Sequence, residues 1–233
     1  MQEPMKERVV ASFDYSCPPQ KLMERLGTEE GDELYDQAME VLERVEGHIH
    51  PCFLLKDFEI GEITKSGFSI GDYQFSSRIA GQKLSGKTLT TLYIASCGTE
   101  IGQILDETTD DLDHFIVDQI AYLAYLEANR VMMEGYQKDW KVEKFIRLCP
   151  GSIIDWSVGD VCHFFGLLSG MGLYEQLGVR VLESGLIDPL KSTSGLLLVT
   201  DEEFESCSIC PRINCESRRE PFNLELHEQM IVQ

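Results

Sequence analysis

The residues whose type and spacing are most suited to chemistry lie near the C-terminus, in the stretch CSICPRINC. Cys207, Cys210 and Cys215 have C-x2-C-x4-C spacing, and three thiolates this close together can ligate an iron–sulfur cluster or a zinc ion. The spacing differs from both ferredoxin patterns, so a cysteine-rich surface segment without metal is the alternative. A metal centre would need a fourth ligand, for which the sequence offers Cys97, Cys149, Cys162 and His227.

A second candidate stretch, GQKLSGKT at residues 81–88, fits the phosphate-binding pattern G-x-x-x-x-G-K-[ST]. In nucleotide-binding proteins this loop follows a strand and opens a helix, whose N-terminus holds the phosphates. The residues after Thr88, LTTLYIASC, are rich in β-branched and aromatic side chains, which favours a strand instead. We therefore interpret residues 81–88 as a turn between two strands and expect no nucleotide to bind at Lys87.

Glu127 is the charged member of an otherwise apolar helical stripe. A carboxylate that faces a core is costly unless it is paired or meets a cationic ligand. Spacing alone favours a structural explanation, in which Glu127 reaches water at the edge of the stripe or pairs with Arg130 or Arg147. Successive members of the stripe, counting Glu127, are three or four residues apart, and the apolar ones are Leu112, Ile116, Ile120, Leu123 and Val131.

Composition narrows the classes of partner. The chain has 233 residues, 43% of them hydrophobic, which is enough for a buried core. Forty acidic and twenty basic side chains give a net charge of −20, which repels nucleic acid and anionic membranes.

Because the N-terminal stretch is charged and no apolar run is long enough to span a membrane, we predict a cytoplasmic protein. In that reducing compartment, eight cysteines indicate metal ligation or redox chemistry rather than a disulfide framework.

A mixed set of helices and strands must position these residues. Helices and strands neither alternate regularly nor segregate fully, which favours an α+β fold. We predict a single domain over residues 1–200, followed by a cysteine-rich C-terminal tail over 201–233. The predicted strands lie in RVVASFDY and over 52–63, 67–79, 87–96, 178–183 and 194–200. Four helices are predicted: one that begins at Thr28, a short one after Gly98, one over 111–140 and one over 157–168.

Five motifs occur in one order along the chain: TTLYIASCGTEI, LEANRVM, RLCPG, DWSVGDVCHFFGLL and GVRVLESGLIDPLKSTSGLLL. Together they resemble the activation (S-adenosylmethionine-binding) domain of cobalamin-dependent methionine synthase. The RLCPG motif matches the family's Arg-x-x-Pro-Gly signature at Arg147, Pro150 and Gly151. The matching positions of the last motif are Gly178, Val179, Glu183, Ser184, Pro189, Ser192, Ser194 and Gly195.

The resemblance implies a single domain around a twisted antiparallel sheet with flanking helices, and a shallow cleft for S-adenosylmethionine. Carried over by motif, Arg147 would bind the carboxylate of the ligand and Glu127 its cationic end, a pairing that complements the ligand's charges. The remainder of the ligand would be held by the backbone at Cys149, Pro150, Gly151, Gly195 and Leu196. The aromatic residue that follows Pro-Gly in the family is Ser152 here, which removes a stacking surface.

The resemblance also implies a partner. The chain has no Asp-x-His-x-x-Gly motif for cobalamin, so the cobalamin would arrive on a corrinoid-binding protein or a corrinoid methyltransferase. Delivering one electron to a corrinoid is a redox task, which favours an iron–sulfur cluster over zinc at the tail cysteines.

We therefore predict an S-adenosylmethionine-binding protein that supports reductive methylation of a corrinoid on a separate protein. The sequence does not decide whether the chain itself is an enzyme. The alternatives are a non-catalytic adaptor or S-adenosylmethionine sensor for a corrinoid protein, and a metal or iron–sulfur electron-transfer protein on the same fold.

Overall fold

The computed structural model describes residues 5–172 and 174–232, and within them the chain forms nine strands and seven α-helices. The strands are β1 (Glu7–Val10), β2 (Cys52–Ile63), β3 (Phe68–Ile70), β4 (Tyr73–Phe75), β5 (Leu89–Ser96), β6 (Phe145–Leu148), β7 (Arg180–Val181), β8 (Ile187–Asp188) and β9 (Ser192–Val199). The helices are α1 (Pro19–Leu26), α2 (Glu33–Val45), α3 (Arg78–Leu84), α4 (Thr99–Glu107), α5 (Asp111–Trp140), α6 (Val161–Leu168) and α7 (Leu224–Val232).

The long strand β2 organises the main sheet. It pairs with β5 from Cys52 opposite Ser96 to Glu59 opposite Leu89, and β5 then pairs with β9, which pairs with β6. The order is β4-β3-β2-β5-β9-β6, with β1 also paired to β2, and each of these pairs is antiparallel. β7 and β8 form a separate hairpin. The predicted α+β class, with an antiparallel sheet flanked by helices, is confirmed.

Helices cover both faces of the sheet. Successive side chains of a strand point to opposite faces, so Leu92 and Ile94 of β5 join the core that contains α3 and α6, whereas Tyr93 and Ala95 pack with α5. Leu92, Tyr93, Ile94 and Ala95 are all at most 1% exposed. The central strands are therefore apolar on both faces, as expected for a sheet between two helical layers.

The helix α5 has the bounds predicted from the sequence. Its N-terminus is capped by Asp110, whose carboxylate accepts hydrogen bonds from the N–H groups of Leu112 and Asp113. After its last residue, Trp140, the chain leaves the helix at Lys141, with φ 57°. The first half packs against α1, α2 and α4, and the second half against the sheet. The predicted stripe is wrong at its start, because Leu112 is 44% exposed.

Other predicted elements need correction. The predicted strand over 67–79 is the hairpin β3–β4, because Gly71 turns the chain with φ 53°. The helix α1 was not predicted; the prolines at 18–19 open it, since the first helical residue needs no N–H donor. The following helix, α2, begins after Asp32 instead of Thr28.

The predicted tail is folded against the main sheet. Ile209 is fully buried in the core on the α6 side of the sheet, and Phe204, Leu226 and Met230 pack against the same core. Within residues 5–172 and 174–232, no helix combines the length and the apolar character needed to cross a membrane. The tail therefore contributes to the core as well as to the surface.

Candidate functional site

A cleft of about 230 Å³ opens where the end of β6 and the start of β9 meet the tail. One side, here called the strand wall, consists of Arg147 and residues 149–152 and 192–194. The other, here called the tail wall, consists of the lining residues between 207 and 219, among them the three tail cysteines. Helix α5 adds Tyr125 and Asn129 to the lining. The sheet therefore brings the RLCPG motif and the cysteine motif, which are far apart in sequence, to one place.

The RLCPG motif forms a tight turn at the end of β6. Gly151 has φ 75°, a left-handed conformation that glycine adopts without steric cost, and its N–H donates to the carbonyl of Trp156 at 2.8 Å. The N–H groups of Ser152 and Ile153 donate to the carbonyl of Cys149 at 3.1 and 3.2 Å. This turn leaves Arg147, Cys149, Pro150 and Gly151 on the cleft lining, and their contact with a ligand stays a prediction.

Arg147 lies in the strand wall beside an ion pair of the tail. Its guanidinium is 3.8 Å from the carboxylate of Glu205, which accepts hydrogen bonds from Arg219 at 2.6 and 3.0 Å. Burial alone would raise the pKa of Glu205, but the hydrogen bond and charge of Arg219, with the charge of Arg147, hold it below its ordinary value. Glu205 is therefore ionised, and its close partner is Arg219, so the donors of Arg147 are lightly engaged.

Cys149 is a buried thiol rather than a reactive one. Its sulfur lies 3.0 Å from the hydroxyl of Tyr93, and both residues are at most 7% exposed. Burial is the main cause that raises the pKa values of both groups. Both therefore present neutral, weakly polar groups to the cleft.

The predicted backbone contacts on β9 lie just behind the cleft. Gly195 pairs with Tyr93 and Leu196 with Leu148, and neither Gly195 nor Leu196 lines the cleft. A Cβ at Gly195 would come within 2.7 Å of the carbonyl oxygen of Leu148 and 2.9 Å of the Tyr93 ring, so glycine permits this close approach. The preceding residues of β9, at 192–194, line the cleft instead.

Glu127 lies on α5 between Tyr125 and Asn129 but is not part of the cleft lining. Both of its carboxylate oxygens accept hydrogen bonds from Arg130, at 2.6 and 2.9 Å. The hydrogen bonds from Arg130 lower the pKa of Glu127. The structure thus shows the Arg130 pair that the sequence offered as an alternative, while the ligand-binding role of Glu127 stays a prediction.

Arg218 organises the loop that carries the tail cysteines. Its guanidinium donates hydrogen bonds of 2.5 to 3.2 Å to five backbone carbonyls. One cation at the centre of a ring of carbonyl dipoles gives an otherwise irregular loop a defined shape. The accepting carbonyls belong to Cys207, Cys210, Arg212, Ile213 and Glu220.

The predicted metal centre at Cys207, Cys210 and Cys215 is not supported. All three line the cleft, yet within the described part of the chain no group of three or more His, Cys, Asp or Glu side chains is placed to hold a metal ion. The spacing of the cysteines in the sequence allows three thiols to come close, but the folded loop decides whether they point at one metal ion. Here the loop is arranged around the guanidinium of Arg218. The three thiols as folded do not fit a shared metal.

The candidates for a fourth ligand have other roles. Cys97 is fully buried, which raises its pKa to about 12, and the thiol of Cys162 donates to the carbonyl of Leu182 at 3.5 Å. A ring nitrogen of His227 lies 2.7 Å from the carbonyl oxygen of Ile209, which anchors α7 to the tail. Cys149 is the thiol described above beside Tyr93.

Residues 81–88 do not form a phosphate loop. The helix α3 occupies 78–84, capped by Ser77, whose hydroxyl accepts from the N–H of Ala80 at 3.0 Å. The prediction that 81–88 is a turn between two strands is therefore wrong over 81–84, which belong to this helix. The strand predicted after the turn is confirmed as β5. The order helix–turn–strand is the reverse of a phosphate loop, and the ammonium of Lys87 donates to the carbonyl of Val199 at 3.0 Å.

Several lining residues had no predicted role in ligand binding, among them Tyr125, Asn129 and Ser194. Tyr125 and Asn129 are four apart on α5, a spacing that places them on one face, and this signal was available in the LEANRVM region. Burial is the main cause that raises the pKa of Tyr125, which is therefore neutral. Ser194 is 5% exposed and its hydroxyl has no hydrogen-bond partner, which is unusual for a buried polar group.

Neither a scan against protein families nor a search of curated proteins finds a match to this sequence. The fold does have a counterpart. The chain is similar to a crystal structure of the MetH reactivation domain bound to AdoHcy, with a TM-score of 0.57 and 15% identity over 86% of this chain and 80% of that one. At this identity the likeness shows the fold alone, and the fold is the one that the motif resemblance implied.

Proposed function

We propose that the cleft binds S-adenosylmethionine and that the protein, acting in the cytoplasm, supports reductive methylation of the corrinoid on a separate protein. The observation that carries the proposal is Arg147 in the strand wall. It stands in an Arg-x-x-Pro-Gly turn, within a fold similar to a domain that has been crystallised with AdoHcy.

The strand wall suits the carboxylate of the ligand. A guanidinium can form two parallel hydrogen bonds to a carboxylate, and Arg147 has donors to offer because Glu205 is 3.8 Å away. The N–H groups of the following turn point inward to their own carbonyl partners, so the ligand would meet a rigid surface. The buried hydroxyl of Ser194 supplies a further group that a polar atom of the ligand would satisfy.

The cationic end of the ligand has two candidate partners on α5. Tyr125 lines the cleft, and an aromatic face attracts a sulfonium or ammonium group. Glu127 would attract the same charge, but it would first have to exchange its hydrogen bonds with Arg130 for bonds to the ligand. The Arg130 side chain is 55% exposed and the Glu127 side chain 21%, so Arg130 could turn to water when Glu127 meets a ligand cation.

The chemistry needed from this chain is positioning. In the transfer, the methyl group leaves the sulfonium, the C–S electron pair stays on sulfur, and the electron pair for the new bond comes from the corrinoid of the partner after its reduction by an external electron donor. A bound, correctly oriented donor is what the protein would supply. The partner would be a corrinoid-binding protein or a corrinoid methyltransferase.

The test is transfer of an isotopically labelled methyl group from S-adenosylmethionine to the corrinoid of such a protein, under reducing conditions. We expect labelled corrinoid with the wild-type chain, and a loss of about 10-fold or more with Arg147→Gln at limiting ligand, because a charge-assisted bond is worth about 1.5–3 kcal/mol. Ligand binding without transfer to any corrinoid protein would favour the sensor or adaptor, and absence of both would refute the proposal.

A further inference from the structure

Cys207 and Cys210 are joined by a single tight turn. The N–H of Cys210 donates to the carbonyl of Cys207 at 3.3 Å. A turn closed by such a bond brings its first and fourth Cα atoms within about 7 Å, and a disulfide needs a Cα separation of about 4.4–6.8 Å. The backbone therefore holds the two Cα atoms at a separation that a disulfide can bridge.

Two features hold the turn in place. Ser208 and Ile209, between the two cysteines, are 9% and 0% exposed and anchor the turn in the protein. Arg218 donates hydrogen bonds to the carbonyls of Cys207 and Cys210, the first and last residues of the turn. A dithiol on a rigid turn loses little conformational freedom when it closes, which favours an internal disulfide over a link to another molecule.

The two thiols are also reachable. Both are half-buried rather than buried, and both line the cleft. The neighbouring thiol Cys149 is buried in the strand wall beside Tyr93, which makes it a poor competitor. A thiol takes part in exchange only when a disulfide can approach it. Cys215 is also half-buried and lines the cleft, but it lies five residues beyond Cys210, whereas Cys207 and Cys210 share one turn and are therefore the pair placed to close on each other.

We propose that Cys207 and Cys210 form a thiol–disulfide redox site in the tail wall, with a small disulfide or dithiol as its exchange partner. In the oxidising direction, one thiolate attacks a sulfur of the external disulfide and releases its first thiol. The second cysteine then attacks the mixed disulfide and releases the other thiol. Two electrons and two protons pass from the pair to the external disulfide, and the reverse steps reduce the pair. The site stands independently of the proposed function.

The experiment uses the full chain, prepared anaerobically with reductant and then treated with glutathione disulfide. We expect the oxidised protein to be lighter by about 2 Da, the mass of two hydrogens, and peptide mapping to place one internal bond between Cys207 and Cys210. Cys207→Ser and Cys210→Ser should abolish this bond, and Cys215→Ser, the matched control in the same loop, should retain it.

The wild-type peptide map decides the matter even if a variant folds poorly. A bond from either cysteine to Cys215, a stable adduct with glutathione, or a link between chains would overturn the proposal. Iron or zinc bound stoichiometrically to the anaerobic protein, and protecting these thiols from glutathione disulfide, would also overturn it. An unchanged protein mass, with all thiols still titratable after treatment with glutathione disulfide, would also overturn the proposal.

Discussion

The two walls of the cleft are held in place by different physical means. In the strand wall, backbone hydrogen bonds set the positions, because residues 192–194 pair with β5, Arg147 pairs with β9, and residues 149–152 form a hydrogen-bonded turn. In the tail wall, two arginines hold an irregular loop, Arg218 through carbonyl oxygens and Arg219 through the carboxylate of Glu205. The strand wall should therefore fail only with the whole fold, whereas the tail wall can be loosened on its own.

The largest expected effect comes from removing Arg218. Each charge-assisted bond contributes about 1.5–3 kcal/mol, so losing two or more should raise local opening of the tail by at least about 100-fold. We expect Arg218→Met to speed amide hydrogen exchange over residues 205–223 while β5 and β9 stay protected. Arg212→Met, a change of an exposed side chain in the same loop, is the control. Unchanged exchange in Arg218→Met would mean that the carbonyl bonds do not hold the tail wall.

The strand wall is tested by Gly195→Ala. The added methyl group would meet the Leu148 carbonyl at 2.7 Å, and overpacking of this kind costs about 1–3 kcal/mol. For a chain of this size each kcal/mol lowers Tm by about 2–4 °C. We expect one cooperative transition at lower temperature, with Gly47→Ala as the control because nothing lies within 4 Å of its added Cβ. A Tm equal to that of the wild type would show that β6 and β9 can move apart at no cost.

A smaller effect concerns the pH dependence of the tail wall. The pKa of Glu205 is lower in the folded protein than in the unfolded chain. The ionised carboxylate therefore contributes to stability fully above the ordinary glutamate pKa of about 4.3. This contribution is lost as pH falls through the lowered pKa of the folded protein. We expect wild-type Tm to fall more than that of Glu205→Gln between about pH 6 and pH 3. Glu203→Gln, an exposed neighbour, should follow the wild type. Parallel curves for wild type and Glu205→Gln would contradict the ion pair.

The contrast between the walls also explains what the sequence could predict. The bounds of β2 and α5 were predictable because their signals are local: apolar periodicity, the Asp110 cap and the glycines at turns. The place of Arg147 in a cleft was implied by its motif. The side-chain direction of Glu127 could not be predicted, because it depends on the hydrogen bonds that Arg130 donates to it. The arrangement of the tail thiols could not be predicted either, because it depends on Arg218, eleven residues after Cys207.

The smallest expected effect is at Lys87. Its ammonium donates to the carbonyl at the end of β9, and the chain around it runs helix–turn–strand. We therefore expect no ATP or GTP binding by the wild type and none by Lys87→Ala, measured by equilibrium dialysis with labelled nucleotide. Nucleotide binding by the wild type that disappears in Lys87→Ala would overturn our interpretation of residues 81–88.

The central claim, that the strand wall binds S-adenosylmethionine through Arg147, is tested most directly by titration calorimetry of the full chain. We predict saturable one-site binding by the wild type and a Kd raised about 10- to 150-fold in Arg147→Gln, corresponding to about 1.5–3 kcal/mol for one charge-assisted bond. Arg180→Gln, which changes an exposed arginine on the β7–β8 hairpin, should bind as the wild type does. Equal affinities for wild type and Arg147→Gln, or no binding to either, would contradict the claim.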